Sequence, residues 1–478
     1  MSIEKQTIVG LKWNALSRLT SQLINWAITL VVLRLLAPSD YGLMAILSVF
    51  IGLLANIAEL GLGSSLVQAR TLSTQEIESV TGLVIVANAA AFLFLVLVAP
   101  LIAWFYSAPR LTHLTQIAAL QFLFNALCTV PQALAYREMQ FGWLALVDMF
   151  AAIAGGGASI VLAWRGAGVW ALVLGSVVPG LVRALLLSRG KLPRASFRRE
   201  GMRGHVEFGS LVTVLRLVAQ LVSQSDIIIA GRILNPQAIG LYSVSLHVAT
   251  LPMQKIMGTV NMVAYPAIAK LQHERERLRQ RMLEATRLLL LVAIPLLWGM
   301  SATAPELVEF IMGPKWSGAT RPLQVVCLVV PLQMLNAVYS TAALGLREMR
   351  VSVYNQVASA LVLPAAFFIG AKWGVNGLAY AWLVAIPAVF VLRLPGTIRT
   401  VNVTPRDLLR VSWVPFAAAA IMYVLVSVSR FYLGGVLPGI RLALLVLVGV
   451  CGYVGATLLV DRQVVPEVRR FLAALRGN

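Results

Sequence analysis

The chain has 478 residues, of which 59% are hydrophobic and 12% charged, and its mean hydropathy is +0.83. That composition lies far from the average for soluble domains and excludes an ordinary water-soluble protein. The formal net charge of +20 invites a nucleic-acid partner, but its placement along the chain assigns it to membrane topology instead.

Apolar stretches of about 20 residues recur along the whole chain, each able to cross roughly 30 Å of hydrocarbon. Their length and continuity fit helices rather than alternating barrel strands, the two structures that satisfy every backbone polar group in lipid. The expected fold is all-α, a polytopic membrane protein with fourteen transmembrane helices. They lie near 11–36, 41–66, 79–106, 112–135, 142–164, 167–188, 206–231, 237–265, 284–304, 321–345, 352–371, 374–396, 408–429 and 440–460. The first is too long for a signal-peptide core and no small-residue cleavage site follows it, so it is read as retained.

Charges inside spans cost about 2.5–3.5 kcal/mol on insertion scales and so call for a reason. Span 1 carries Arg18, Gln22, Asn25 and Thr29 at i, i+4, i+7 and i+11, which places all four on one helical face. It ends on Arg34-Leu35-Leu36-Ala37-Pro38-Ser39-Asp40-Tyr41-Gly42-Leu43. Span 2 holds Glu59 and span 5 holds Asp148. Span 7 repeats the polar stripe as Arg216, Gln220 and Ser223, adds Asp226, and ends on Arg232-Ile233-Leu234-Asn235-Pro236-Gln237-Ala238-Ile239-Gly240-Leu241. Span 8 holds His247 and Lys255. The run from Leu271 to Arg281 has Glu-to-Arg spacings that suit a helix reaching into the cytoplasm, solvated or against anionic headgroups.

The two decapeptides match at Arg, Leu, Pro, Gly and Leu with an offset of 198. Three echoes follow in order: Ala99-Pro100, Phe105 and Pro109 as Ala304-Pro305, Phe310 and Pro314; Arg137-Glu138-Met139 as Arg347-Glu348-Met349; Gly168-Val169 as Gly374-Val375. A duplicated unit of about 200 residues follows, an architecture common in transporters, whose substrate site lies where the halves meet. The expected domains are an N-lobe of spans 1–6 (1–190), a basic cytoplasmic linker (191–204) and a C-lobe of spans 7–12 (205–400). An added pair, spans 13 and 14 (401–460), and a cytoplasmic tail (461–478) complete the chain. Six spans per lobe make the repeat parallel, about an axis along the membrane normal.

Basic residues crowd the even loops and termini, as in Arg189–Arg203, Lys270–Arg281, Arg399–Arg410 and Arg462–Arg476, and are sparse in odd loops. This pattern puts both termini and every even loop in the cytoplasm. Cys128, Cys327 and Cys451 fall inside spans at no metal-ligand spacing and read as small apolar fillers. No nucleotide loop, zinc-protease motif or nucleophile elbow is present, so the chain reads as neither an enzyme nor an ATP-driven pump, and no cofactor or metal is expected.

A polar stripe in both halves points to a wet cavity lined by Arg18, Gln22, Asn25, Arg216 and Gln220, with Lys255 as a third cation. Arg18 lies sixteen residues before Arg34, about 24 Å along the helix, at the depth of the cytoplasmic leaflet. The alternative is that each arginine snorkels to the inner headgroups as an anchor. Glu59, Asp148 and Asp226 are candidates for titration or cation coupling, and equally for structural pairing with arginines.

The decapeptide at the end of span 1, the following Glu59-Leu60-Gly61-Leu62-Gly63-Ser64-Ser65-Leu66-Val67-Gln68, and Gly313-Pro314-Lys315-Trp316 after span 9 resemble Wzx-type polysaccharide flippases. These share a superfamily with MATE exporters and the lipid II flippase. Glu59 stands where the family more often has Asp. The resemblance implies a two-lobed carrier of undecaprenyl-diphosphate-linked oligosaccharide across the bacterial inner membrane by alternating access. The partners it implies are the polysaccharide polymerase and chain-length machinery, with no nucleic acid. Two arginines at cytoplasmic depth suit a diphosphate, which guanidinium binds in bidentate geometry. The alternative on the same fold is an ion-coupled exporter of small cationic drugs, which would want an acidic cavity where this one is basic. The topology is testable: cysteines introduced in the turns around Pro38, Pro236 and Lys315 should react with an impermeant thiol reagent in intact spheroplasts. Labelling of the 191–204 linker instead would defeat the fourteen-span arrangement.

Overall fold

The computed structural model describes residues 26–59, 66, 72–188, 195–196, 217–270, 274–346 and 348–461. We label the main helices α1 (Trp26–Leu35), α2 (Pro38–Glu59), α3 (Thr74–Phe105), α4 (Leu111–Arg137), α5 (Phe141–Trp164), α6 (Val169–Leu187) and α7 (Ser225–Ile233). Then follow α8 (Pro236–Lys270), α9 (Arg275–Ala302), α10 (Thr320–Gly345), α11 (Met349–Ala371), α12 (Gly374–Val401), α13 (Pro405–Tyr432) and α14 (Pro438–Val460). Among the described residues eleven helices are long and apolar enough to cross a bilayer, and α1 is a shorter apolar helix. The all-α membrane class is as expected; the count of fourteen stays an expectation from hydropathy. The 191–204 linker and the tail beyond Asp461 lie outside the described residues.

The chain divides into two compact units, Met1–Gly240 and Leu241–Asn478. In the first, the two copies of the repeated Pro-x-x-x-Gly element meet. A Cβ placed on Gly42 would strike the Pro236 carbonyl and stand 3.0 Å from the Gly240 nitrogen. A Cβ on Gly240 would strike the Pro38 carbonyl and stand 3.0 Å from the Gly42 nitrogen. The starts of α2 and α8 therefore cross backbone to backbone, with proline at each helix start, where its missing N–H costs nothing. Close crossings at small residues are how helices associate where lipid removes the hydrophobic drive.

Small residues recur at equivalent hairpins in both units. In α5–α6, Gly155 abuts the Gly175 carbonyl, while the Ser159 hydroxyl bonds the Ala171 carbonyl at 2.9 Å. In α11–α12, Gly370 and Gly377 oppose each other's carbonyls. The turns opening α6 and α12 are echoed too: Gly168 and Gly374 both take positive φ, +57° and +71°.

The copies diverge after span 3. There α3 runs unbroken through Pro100 to Phe105, whereas α9 stops at Ala302. The chain then passes through Ala304–Leu307, a π-turn at Val308–Met312 and a 3-10 turn at Pro314–Ala319 that buries Trp316 completely. The expected span near 284–304 is also longer than predicted, starting at Arg275 with i,i+3 pairs Arg277–Glu274 (2.6 Å) and Arg279–Glu276 (2.9 Å).

The added pair, α13–α14, is held by charge at both ends, to α9 at one and to the Ala304–Leu307 turn at the other. At one end Arg279 pairs with Asp407 (2.9 Å), itself in a capping box with Thr404, and Arg287 pairs with Asp461 (2.6 Å). At the other, the fully buried Glu306 meets Arg430 at 2.9 Å and Arg441 at 3.3 Å. Trp298 stacks edge-on against Phe416 between them.

The crossing predicts a distinctive thermodynamic pattern. Gly42→Ala and Gly240→Ala should each destabilise by about 1–3 kcal/mol, the cost of overpacking. The double change should cost less than the sum, because one separation of the helix starts accommodates both methyls. Gly157→Ala, with nothing within 4 Å of the added Cβ, should be neutral or slightly stabilising. Thermal unfolding in detergent checks this; additive losses would refute a shared contact.

Candidate functional site

Span 7 is not one continuous helix. Residues 217–223 are helical, Gln224 turns out of register (φ −109°, ψ 8°), and α7 restarts at Ser225. Two side chains service the break. The Ser225 hydroxyl donates to the Val222 carbonyl at 2.8 Å, and the Asp226 carboxylate accepts from the Ile227 N–H at 2.8 Å. Asp226 is completely buried and lies in the first turn of α7, where the helix dipole favours an anion.

Of the predicted lining residues, Gln220 is half-buried with its amide nitrogen against Gly52 of α2, and Lys255 lies on an exposed part of α8. Arg18, Gln22, Asn25 and Arg216 lie outside the described residues. The three acids sit on separate elements. Glu59 is exposed at the last residue of α2. Asp148 on α5 is ion-paired with Arg183 on α6 at 3.0 Å. Asp226 stands at the helix break.

Sequence reasoning missed Arg183, Arg393 and the Glu306 cluster. Arg393, on α12, donates to the Asn355 carbonyl at 3.0 Å and to the Ser359 hydroxyl, both on α11. A charge inside the predicted span 374–396 was the available signal, the same one that drew attention to Arg18. The partners of Glu306 come from α13 and α14, more than a hundred residues away, and no local pattern announces them.

At the end of α7 near the repeated decapeptide, the Arg232 guanidinium lies 5.7 Å from the Phe105 ring centroid and 3.4 Å from the Ser107 hydroxyl. Tyr106 packs against Gly231 and Phe50.

Comparison with known proteins gives this arrangement its context. A family model described as "Polysaccharide biosynthesis protein" matches residues 31–321. The chain is 25% identical to teichuronic acid biosynthesis protein TuaB of Bacillus subtilis, covering 81% of both chains. It is 25% identical to succinoglycan biosynthesis transport protein ExoT of Rhizobium meliloti, over 98% of this chain and 95% of that one. A solved structure of the lipid II flippase MurJ, inward closed, superposes with TM-score 0.70 at 14% identity, over 95% and 99% of the respective chains, a likeness of fold. Matched over more than half its length, the chain belongs to the polysaccharide biosynthesis protein family.

Proposed function

We propose that this multi-pass membrane protein is a flippase. It carries undecaprenyl-diphosphate-linked oligosaccharide repeat units across the bacterial inner membrane for exopolysaccharide, capsule or O-antigen synthesis. The observation that carries the reading is a lipid-flippase fold over 95% of a chain in a polysaccharide biosynthesis family. Both termini lie in the cytoplasm in this reading, and the polymerase and chain-length machinery act on the delivered unit. The lipid tail stays in the membrane while the sugar crosses a polar cavity, and alternating access comes from rocking of the halves.

Arg18 and Arg216 are the proposed diphosphate site, supported by their matched positions in the repeat and by the bidentate fit of guanidinium to phosphate. Gln22, Asn25, Gln220 and Lys255 extend the polar lining. Among the acids, Asp226 is favoured as the coupling group. It is buried at a discontinuous helix, the feature around which transporters build ion and substrate sites. Asp148 is the least favoured, because Arg183 already accounts for it.

Polymer export at matched protein level tests the arginines. Arg→Lys at either position should be milder than Arg→Ala, since lysine keeps the charge and loses the fork, and the double alanine variant should abolish export. Wild-type output from the double variant would reduce the stripe to structure. For the acids, Asp226→Asn and Glu59→Gln are compared with Asp148→Asn. The first should impair export at normal abundance, and the last should mainly lower abundance by stranding Arg183. Normal export from all three would exclude coupling through these carboxylates.

A further inference from the structure

The internal duplication allows the same helix face to be compared in its two copies. At the offset that maps Ala99-Pro100 onto Ala304-Pro305, Leu93, Leu97, Leu101 and Trp104 of α3 correspond to Trp298, Ala302, Glu306 and Glu309. In the second copy all four positions contact the added helix pair, which leaves Ala302 and Glu306 buried and Glu309 half exposed. Trp298 meets Phe416, the Ala302 carbonyl accepts from Arg430, Glu306 holds Arg430 and Arg441, and Glu309 faces Arg441 at 3.5 Å.

In the first copy no helix covers this face among the described residues. Leu93, Leu97, Leu101 and Trp104 are 56%, 76%, 58% and 76% exposed. Beside it a groove of about 370 Å³ opens between α2, α3 and span 7, lined by Phe50, Leu53, Leu101, Trp104, Phe105 and Leu221. The charge at the rim is also reversed. The second copy presents two carboxylates, answered by arginines on the covering helices. At the first copy the rim cation is Arg232, contributed by span 7, held over the Phe105 ring and by Ser107, and it forms no ion pair among the described residues. Ser107 takes a positive φ of 52°, unusual for a residue other than glycine, as it offers its hydroxyl to that guanidinium.

We propose that this groove binds an anionic glycerophospholipid of the surrounding bilayer, with an acyl chain along α3 and its phosphate on Arg232. Within hydrocarbon an apolar groove open to the side is filled by a chain, and the cation at its rim selects the headgroup. A guanidinium resting on an aromatic ring keeps its remaining donors for phosphate oxygens. The lipid thus does at this face what α13–α14 do at its duplicate, covering the apolar surface and answering the rim charge. By the loop charges the site lies in the outer leaflet, away from the cytoplasmic-depth arginines, and it does not depend on the flippase reading.

Full-length protein reconstituted in nanodiscs of equal parts phosphatidylglycerol and phosphatidylcholine, then released and examined by native mass spectrometry, tests the proposal. Wild-type protein should retain phosphatidylglycerol in preference to phosphatidylcholine. Arg232→Gln should lower phosphatidylglycerol retention about five-fold, the weight of one basic residue against an anionic headgroup, and leave phosphatidylcholine unchanged. Arg232→Lys should keep most of the preference. Retention by the wild type in the membrane's own ratio would overturn the proposal without any variant, as would equal retention by Arg232→Gln. Displacement of phosphatidylglycerol by undecaprenyl phosphate would reassign the groove to the lipid carrier, and a dimer abolished by Trp104→Ala would reassign it to a second copy; either result overturns the phospholipid.

Discussion

The crossing of Pro38–Gly42 with Pro236–Gly240 is the contact on which the first unit depends. Each glycine faces the other copy's proline carbonyl, so neither position tolerates a Cβ at the present spacing. Duplication makes such a contact reciprocal: one sequence element that presents both a bare backbone and a proline-terminated helix start can pack against its own copy. The consequences spread a turn or two in each direction. Gly231 receives the Tyr106 ring, Tyr106 packs on Phe50, and Arg232 comes to rest over Phe105. The strongest sequence signal in the chain is therefore a packing signal, and the residues around it are placed by it.

The bilayer imposes the second constraint. An ionised group in hydrocarbon persists only when paired, hydrated or functional. Much of the charge in the described helices is accounted for by pairing: Asp148 with Arg183, Arg279 with Asp407, Arg287 with Asp461, Glu306 with Arg430 and Arg441. Such pairs are weak arguments for net stability, because solvent screening at the exposed pairs and desolvation at Glu306 offset the Coulombic gain. Their value here is positional. Two of them attach the added pair to α9 at one end, and the Glu306 cluster attaches it at the other to the Ala304–Leu307 turn.

Hydropathy, loop charge and the repeat made the membrane class and the order of the helices legible, because each depends on local composition or on identity at fixed spacing. What the sequence concealed depends on distant partners or on small backbone changes. The stop at Ala302 and the π-turn after it lie within a motif that echoes an unbroken helix, so the repeat itself argued for continuity. The break at Gln224 carries neither glycine nor proline to mark it. Arg183 lies near the end of its expected span, and its partner Asp148 sits on the preceding helix, 35 residues away. For the candidate site, Gln220, Lys255 and the three acids could be located, while the arginines that carry the substrate argument lie outside the described residues.

The break in span 7 also changes how Asp226 should be understood. In an unbroken helix its carboxylate would be desolvated with every neighbouring N–H already committed to the backbone ladder. Restarting the helix at Ser225 frees N–H groups in the first turn, directs the positive end of the α7 dipole toward the acid, and lets it accept from Ile227. The same arrangement gives the buried carboxylate a reason to persist and gives span 7 a joint. The coupling role proposed for Asp226 and a structural role at this helix start would draw on the same contact to Ile227.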